Sequence, residues 1–299
     1  MGDTRHRVIL GPLWLVLIAS QVCSAARNCD DLYNEGKFTG SEHDQIIQPN
    51  GPGGMGPFTV KCEEIAGVPT TAVHHDHEAK TEVSHSDNYH HQVTYNPSTG
   101  QIKALIGSSL SCSQHVRFEC LNSEIWRGNL QLTWLISIDG EQMSNWGGAP
   151  ANVKGCGCSI DNTCLGDKRC NCDNDDGGVW RVDAGDLRVK DQLPITGVYV
   201  GDADGSGEAA RYTIGPLRCS GTAGAYRNCD ELHKAGFFSG DGEYTIDPDG
   251  PGVNDAFTVW CKMAAGTLIT AIRHDRLNPR RVTDSIAGNY SQVLTYGPS

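Results

Sequence analysis

An α+β domain with more strand than helix, braced by disulfides and followed by a shorter second copy of its own start, is the fold class this sequence predicts. Three observations carry that reading. The chain holds 13 cysteines among 299 residues. The motif Asn28-Cys29-Asp30-Asp31-Leu32 returns as Asn228-Cys229-Asp230-Glu231-Leu232. Short apolar and β-branched runs recur between glycines and prolines, the pattern of strands joined by ordered loops.

Composition narrows the function classes. With 24 Lys plus Arg against 36 Asp plus Glu, the formal charge is −12. No basic cluster offsets it, so the phosphate-neutralising charge that supplies most nucleic-acid affinity is missing, and DNA or RNA is excluded as a natural partner. Hydrophobic residues at 38% and charged residues at 20% are ordinary for globular rather than disordered material.

The elements follow in chain order. Arg5 and Arg7 precede an apolar run from Val8 to Ile18, then the small-residue stretch Cys23, Ser24, Ala25, Ala26. This is the pattern of a secretory signal peptide over residues 1–26, cleaved near Ala26. The apolar run is about half of the roughly 20 residues needed to span a bilayer. Its removal takes the odd cysteine, Cys23, and places the remaining twelve in an oxidising, extracellular setting, secreted or on the cell surface. No later stretch reaches membrane-spanning length. Cys29 to Gly36 and Cys229 to Gly236 predict one or two helical turns, with Asn at the start and Gly at the stop. Phe58 to Cys62 alternates as a strand. Gln101 to Ser109 predicts a helix, and Leu130 to Ile138 and Ile195 to Val200 predict strands rich in Leu, Ile, Thr and Val.

The repeat sets the domain map. Gly51-Pro52-Gly53 returns as Gly250-Pro251-Gly252, Phe58 to Cys62 as Phe257 to Cys261, and His75-Asp76 as His274-Asp275. One unit is expected over residues 27–220, a Gly/Ser-rich link over 221–227, and a partial second unit over 228–299. The second copy stops after little more than its first third, so it reads as a truncated module or as a subdomain held by its own disulfide.

Cys29 and Cys62 recur together as Cys229 and Cys261, which predicts a bond within each unit. Each closes a loop of about 33 residues, which chain entropy values at roughly 3 to 4 kcal/mol. Cys112 and Cys120, eight apart in a strand-like stretch, are expected to form a local hairpin bridge. Cys156, Cys158, Cys164, Cys170, Cys172 and Cys219 allow about 15 connectivities, which the sequence leaves open. A zinc cluster is disfavoured, because the doublets are separated by one residue rather than two to four.

Sites for chemistry are sparse. His74, His75, His77, His85, His90 and His91 suggest a metal. The repeat keeps only His75, as His274, beside Arg273 and Arg276, so His75 and His274 read as framework residues and the others as a solvated strip. Calcium has a better case at Asp202, Asp204 and Glu208, with Asp173, Asp175 or Asp176 as further oxygen donors. An EF-hand is excluded, since its twelfth position would be Thr213. No Gly-x-Ser-x-Gly, His-Glu-x-x-His or phosphate loop is present, so the chain is expected not to be an enzyme. Trp126, Trp134, Trp146 and Trp180 are candidates for a sugar platform, although buried tryptophan is the commoner fate. Asn289-Tyr290-Ser291 is the single glycosylation sequon, Asn96-Pro97-Ser98 being blocked by proline.

Two sets of residues carry a resemblance. Asn228 to Leu232, Ser239-Gly240, Tyr244, Ile246-Asp247-Pro248-Asp249-Gly250 and Phe257 to Cys261 resemble the opening of a fibrinogen-like C-terminal module. Trp146-Gly147-Gly148, Cys156-Gly157-Cys158, Cys164, Cys170-Asn171-Cys172-Asp173 and Gly215-Pro216-Leu217-Arg218-Cys219 resemble the version in contactin-associated proteins of the neurexin IV type. That resemblance implies an extracellular recognition or adhesion module with a protein or glycan partner and no catalysis. The alternative it implies is a soluble fibrinogen-related lectin with calcium-assisted glycan binding. A trimerising collagen-propeptide role is disfavoured, because no Gly-x-y repeat precedes it. Two tandem copies directly after a leader depart from the family's arrangement.

Overall fold

The computed structural model describes residues 26–51, 53–174, 176–250 and 254–272. Residues 1–25 of the expected leader, Asp175, His274 and Asn289 therefore lie outside the described residues. The first unit opens with α1 (Cys29–Asn34), β1 (His43–Ile47), β2 (Phe58–Ile65), β3 (Val68–Val73), β4 (Thr81–Val83) and β5 (Tyr89–Gln92). It continues with α2 (Thr99–Ser108), β6 (Ser109–Leu121), β7 (Trp126–Arg127), β8 (Leu130–Gln131), β9 (Thr133–Ile136), β10 (Arg181–Leu187), β11 (Gly197–Val200) and β12 (Ala209–Thr222). The repeat supplies α3 (Cys229–Lys234), β13 (Gly242–Ile246), β14 (Phe257–Ala264) and β15 (Thr267–Ala271).

Local chemistry explains where the helices start. Asn28 caps α1, its side chain accepting from Asp31 N, and Asn228 does the same for α3 with Glu231 N. Each satisfies one of the orphan amides of a helix start. Gly36 and Gly236, at positive φ, end both turns. The expected helix at Gln101 begins two residues earlier. Ser98 caps it and Gln101 reaches back to the Ser98 amide, a complete capping box.

The strands form a main sheet in the order β1-β2-β3-β12-β6-β10, with β4 on the far part of β12. Its centre is the long antiparallel pair β6/β12, where the register shifts between Ile214 and Leu217. Pro216 has no amide to donate there, and a bulge absorbs the missing rung. A second sheet, β5-β11-β9, stands beside it. The expected strand Leu130 to Ile138 is two strands in the structure. Leu132 N turns to Ile125 O, so β8 pairs with β7 while β9 pairs with β11. The strand expected from Ile195 starts at Gly197, because Gln114 captures the Ile195 amide and Thr196 bonds to the end of β9.

One core fills the first unit. Trp146, Phe118, Leu135, Ile125 and Tyr212 are buried in it, with Phe118 set edge-on to Trp146 at 5.4 Å. A second core gathers Leu232, Tyr244, Ile246 and Val259 around the Cys229–Cys261 bond, and Leu110 of β6 completes it. The repeat is therefore packed onto the first unit. Residues 221–227, expected as a link, carry the end of β12, and Gly224 N and Tyr226 O bond to β13 and its following residue. Lys190 is buried at this junction. Its ammonium donates to Ser109 O at 2.6 Å and Thr245 Oγ1 at 2.8 Å, and burial brings it down to about 8.

Candidate recognition surface

The cysteine-rich segment between β9 and β10 has little regular structure and is held by covalent and buried polar links. Cys156 bonds Cys170, and Cys158 bonds Cys164. The expected Cys112–Cys120 bridge is corrected. Both residues lie on β6, and eight residues of extended chain separate them by about 26 Å. Cys112 instead bonds Cys219, its register partner on β12, and Cys120 bonds Cys172. Cys29–Cys62 and Cys229–Cys261 complete the six bonds.

Two buried aspartates shape the same segment. Asp173 Oδ1 accepts from Ile125 N and Trp126 N, and its Oδ2 accepts from Cys170 N. Asp183 accepts from Asn171 N and Cys172 N. Burial raises both carboxyls, Asp173 to about 6, and the neighbouring Asp183 charge adds to that shift. Sequence reasoning missed Asp183 entirely and offered Asp173, as an alternative to Asp175 or Asp176, as a further oxygen donor to calcium. Their role is to accept backbone donors that have no sheet partner. Among the described residues, one group of three potential metal ligands comes within 4.8 Å, namely Cys156, Cys170 and Asp183. Its two sulfurs are joined to each other, so it offers no thiolate.

The loop expected to hold calcium is arranged differently from a cation loop. Asp202 is buried; Arg127 Nη2 donates to its Oδ1 at 2.8 Å and Glu124 N donates to Oδ2 at 2.7 Å. Glu208 turns back to accept from Gly205 N, and Asp204 is exposed. The three carboxylates do not gather into one ligand group. Asp176 pairs with Arg181.

The histidines are more than a solvated strip. His75 Nε2 donates to Gly215 O, and its Nδ1 accepts from His77 N, which sets a neutral tautomer. His77 packs against His91 with ring centroids 3.7 Å apart and planes tilted by 31°, and its Nε2 lies 2.8 Å from both Thr81 Oγ1 and Tyr212 OH. Tyr212 meets Tyr89 OH at 2.9 Å, so this cluster ties β12 to β5. Burial lowers His75 and His77, and the facing His91 lowers His77 further. The unfolded chain therefore takes up protons first as pH falls below 6.5. Stability is full above that value and is lost as pH falls through the folded value. Thermal melts between pH 7.5 and 5 are expected to show this loss, with a shallower slope in His77→Asn. Equal slopes would rule the cluster out as its source.

The tryptophans divide. Trp126 and Trp146 are buried, and Trp180 is 37% exposed with the Arg211 guanidinium 4.0 Å over one face of its ring. Trp134 lies on the outer face of β9, half-buried, stacked across the strands on Tyr199 with centroids 3.8 Å apart and planes 14° from parallel. On the other side of Tyr199, in register, is exposed His90 of β5. The Tyr199 hydroxyl donates to Asp87 O. Such a pair gains about 0.5–1.5 kcal/mol beyond its area burial. It presents a flat aromatic surface with polar edges, backed by Val198 and Leu135 in the core.

Fold and site together define a class: a β-rich, disulfide-braced domain of the kind found in oxidising compartments, with an aromatic patch on a rigid sheet. No family model matches the chain. It is similar to contactin-associated protein 1 of Rattus norvegicus and of Homo sapiens, each 33% identical over 201 residues, covering 65% of this chain and 14% of the relative. It is also similar to neurexin-4 of Drosophila melanogaster, 34% identical over 188 residues, covering 58% of this chain and 15% of the relative. The chain thus spans about one seventh of the length of these curated relatives. Among the described residues, no helix is long and apolar enough to cross a membrane.

Proposed function

We propose that this chain is an extracellular recognition or cell-adhesion protein, without enzymatic activity, that binds a protein or glycan partner through the outer face of β5-β11-β9. In this reading residues 1–26 are a cleaved leader, residues 27–220 a fibrinogen-like module, residues 228–299 a partial second copy, and Asn289 carries a glycan. The observation that carries it is the Trp134–Tyr199 stack on a sheet whose strands are packed into the core. The likeness to contactin-associated protein 1 and neurexin-4 supports the same class, since the first of these is named for its association with another protein. Aromatic patches of this kind are where interface energy concentrates.

The second reading, a calcium-assisted soluble lectin, is favoured by the same stack, because a flat ring suits the apolar face of a sugar. Calcium would then be held by Asp204 and Glu208, with Asp202 joining only if Arg127 released it. The test is capture of the labelled chain on cells and on a glycan array, with and without chelator. Tyr199→Ala is expected to cut capture at least tenfold, with the melting temperature within a few degrees of the parent. Undiminished capture by a folded Tyr199→Ala chain would refute the surface. Glycan retention lost with chelator, together with a calcium-raised melting temperature, would select the lectin. Chelator-insensitive cell capture would select protein adhesion.

A further inference from the structure

The disulfides differ in how far a reagent can reach them. In five of them both cysteines are at most 2% exposed, sealed in one or other core. The sixth, Cys158–Cys164, is half-buried at both ends. It also closes the shortest loop, with a sequence separation of 6 against 14 to 107 for the others. The constraint a disulfide places on the unfolded chain grows with loop length, so opening this bond releases the least denatured-state entropy of the six.

The loop stays anchored without the bond. Thr163 N donates to Cys158 O at 2.9 Å, closing the same turn through the backbone. Gly157 N donates to Gly147 O, Cys156 N donates to Arg169 O, and the buried Cys156–Cys170 bond brackets the whole loop. Its two sulfurs are not equivalent. Cys158 packs against the first core, and its Sγ is backed by the buried Asp183 Oδ1 at 3.7 Å. Cys164 instead follows the exposed run Asp161 to Thr163 and precedes Leu165, which is 40% exposed. Access selects which sulfur a thiolate attacks.

We propose that Cys158–Cys164 is a thiol-exchange site, opened by a low-molecular-weight thiol while the other five bonds stay closed. The thiolate attacks Cys164 Sγ. A new sulfur–sulfur bond forms there, the Cys158–Cys164 bond breaks, and Cys158 leaves as a thiolate that takes a proton from water. A second thiolate then attacks the small-molecule sulfur of the adduct and releases Cys164. Two thiols are thereby oxidised to their own disulfide for each protein bond reduced. Opening frees the turn that holds Ile160, 41% exposed, and Leu165 at the surface.

The test treats the whole folded chain with about 1 mM reduced glutathione, quenches by alkylation at intervals and maps the peptides without further reduction. Cys158 is expected to gain the alkyl label, and Cys164 the glutathione adduct, at least about tenfold faster than any other cysteine is modified. The melting temperature of the treated chain is expected to stay within a few degrees of the parent's. A Cys158→Ser/Cys164→Ser chain is expected to keep the other five bonds and to take up no glutathione. Another bond opening as fast, an adduct on Cys158 in place of Cys164, or a Cys158–Cys164 bond that stays closed until the chain unfolds overturns the proposal. So does a double variant that cannot form the other five bonds.

Discussion

Replacing Cys219 with alanine is expected to lower the free energy of unfolding by roughly 4 to 5 kcal/mol, because the Cys112–Cys219 bond closes a loop of 107 residues. The bond joins register partners on β6 and β12, the central pair of the main sheet, so its loss releases denatured-state entropy over more than half of the first unit. Urea unfolding with an earlier midpoint and a steeper slope, because the uncrosslinked denatured chain exposes more surface, is the expected signature. Non-reducing peptide maps of the variant should show Cys112 as an alkylatable thiol and Cys120 still bonded to Cys172. A Cys112–Cys120 peptide in the parent, or an unmoved midpoint, would contradict the pairing.

Asp173→Ala is expected to cost about 3 to 5 kcal/mol, since it strands three buried amides, those of Ile125, Trp126 and Cys170, each worth about 1–3 kcal/mol when unsatisfied. Asp173→Asn is the informative companion. Its amide oxygen can still accept from Ile125 N and Trp126 N, but its NH2 group faces Cys170 N–H, so a smaller loss is expected. The carboxyl is raised to about 6 in the fold, above its ordinary value of 3.8. Its contribution is therefore full below the unfolded value and is lost as pH rises through about 6, opposite in sign to that of His77. Unfolding measured at pH 5 and pH 7 should show this component in the parent and not in Asp173→Asn. Equal pH dependence in the two would place the proton elsewhere.

Much of the first unit's start was legible because its signals are local. Asn28 and Asn228 as caps, Gly36 and Gly236 as stops, and the alternation of Phe58 to Cys62 depend on neighbours a few residues away. The same holds for Cys29–Cys62 and Cys229–Cys261, which a duplicated motif points to directly. Cys112 and Cys120 were misread because their nearness in sequence was taken for nearness in space, whereas β6 carries them to opposite ends of a 13-residue strand. The partner of Asp202 was hidden for a related reason: the sequence shows its carboxylate neighbours Asp204 and Glu208, whereas Arg127, 75 residues away, meets it only in the fold. Asp183 gave no local signal, because the amides it serves, those of Asn171 and Cys172, lie 12 and 11 residues before it in a loop without sheet pairing.

The sequence by itself determined a disulfide-rich chain from its cysteines, a repeated opening from its duplicated motif, and strand-dominated architecture from its alternation. Tertiary structure decided which cysteines meet, which tautomer His75 holds, and which tryptophan stacks on Tyr199 across the outer face of β9. The division follows from range. Caps, turns and alternation are set by free energies acting over a few residues, whereas pairings and ion contacts belong to residues tens to hundreds of positions apart, brought together only when the core closes.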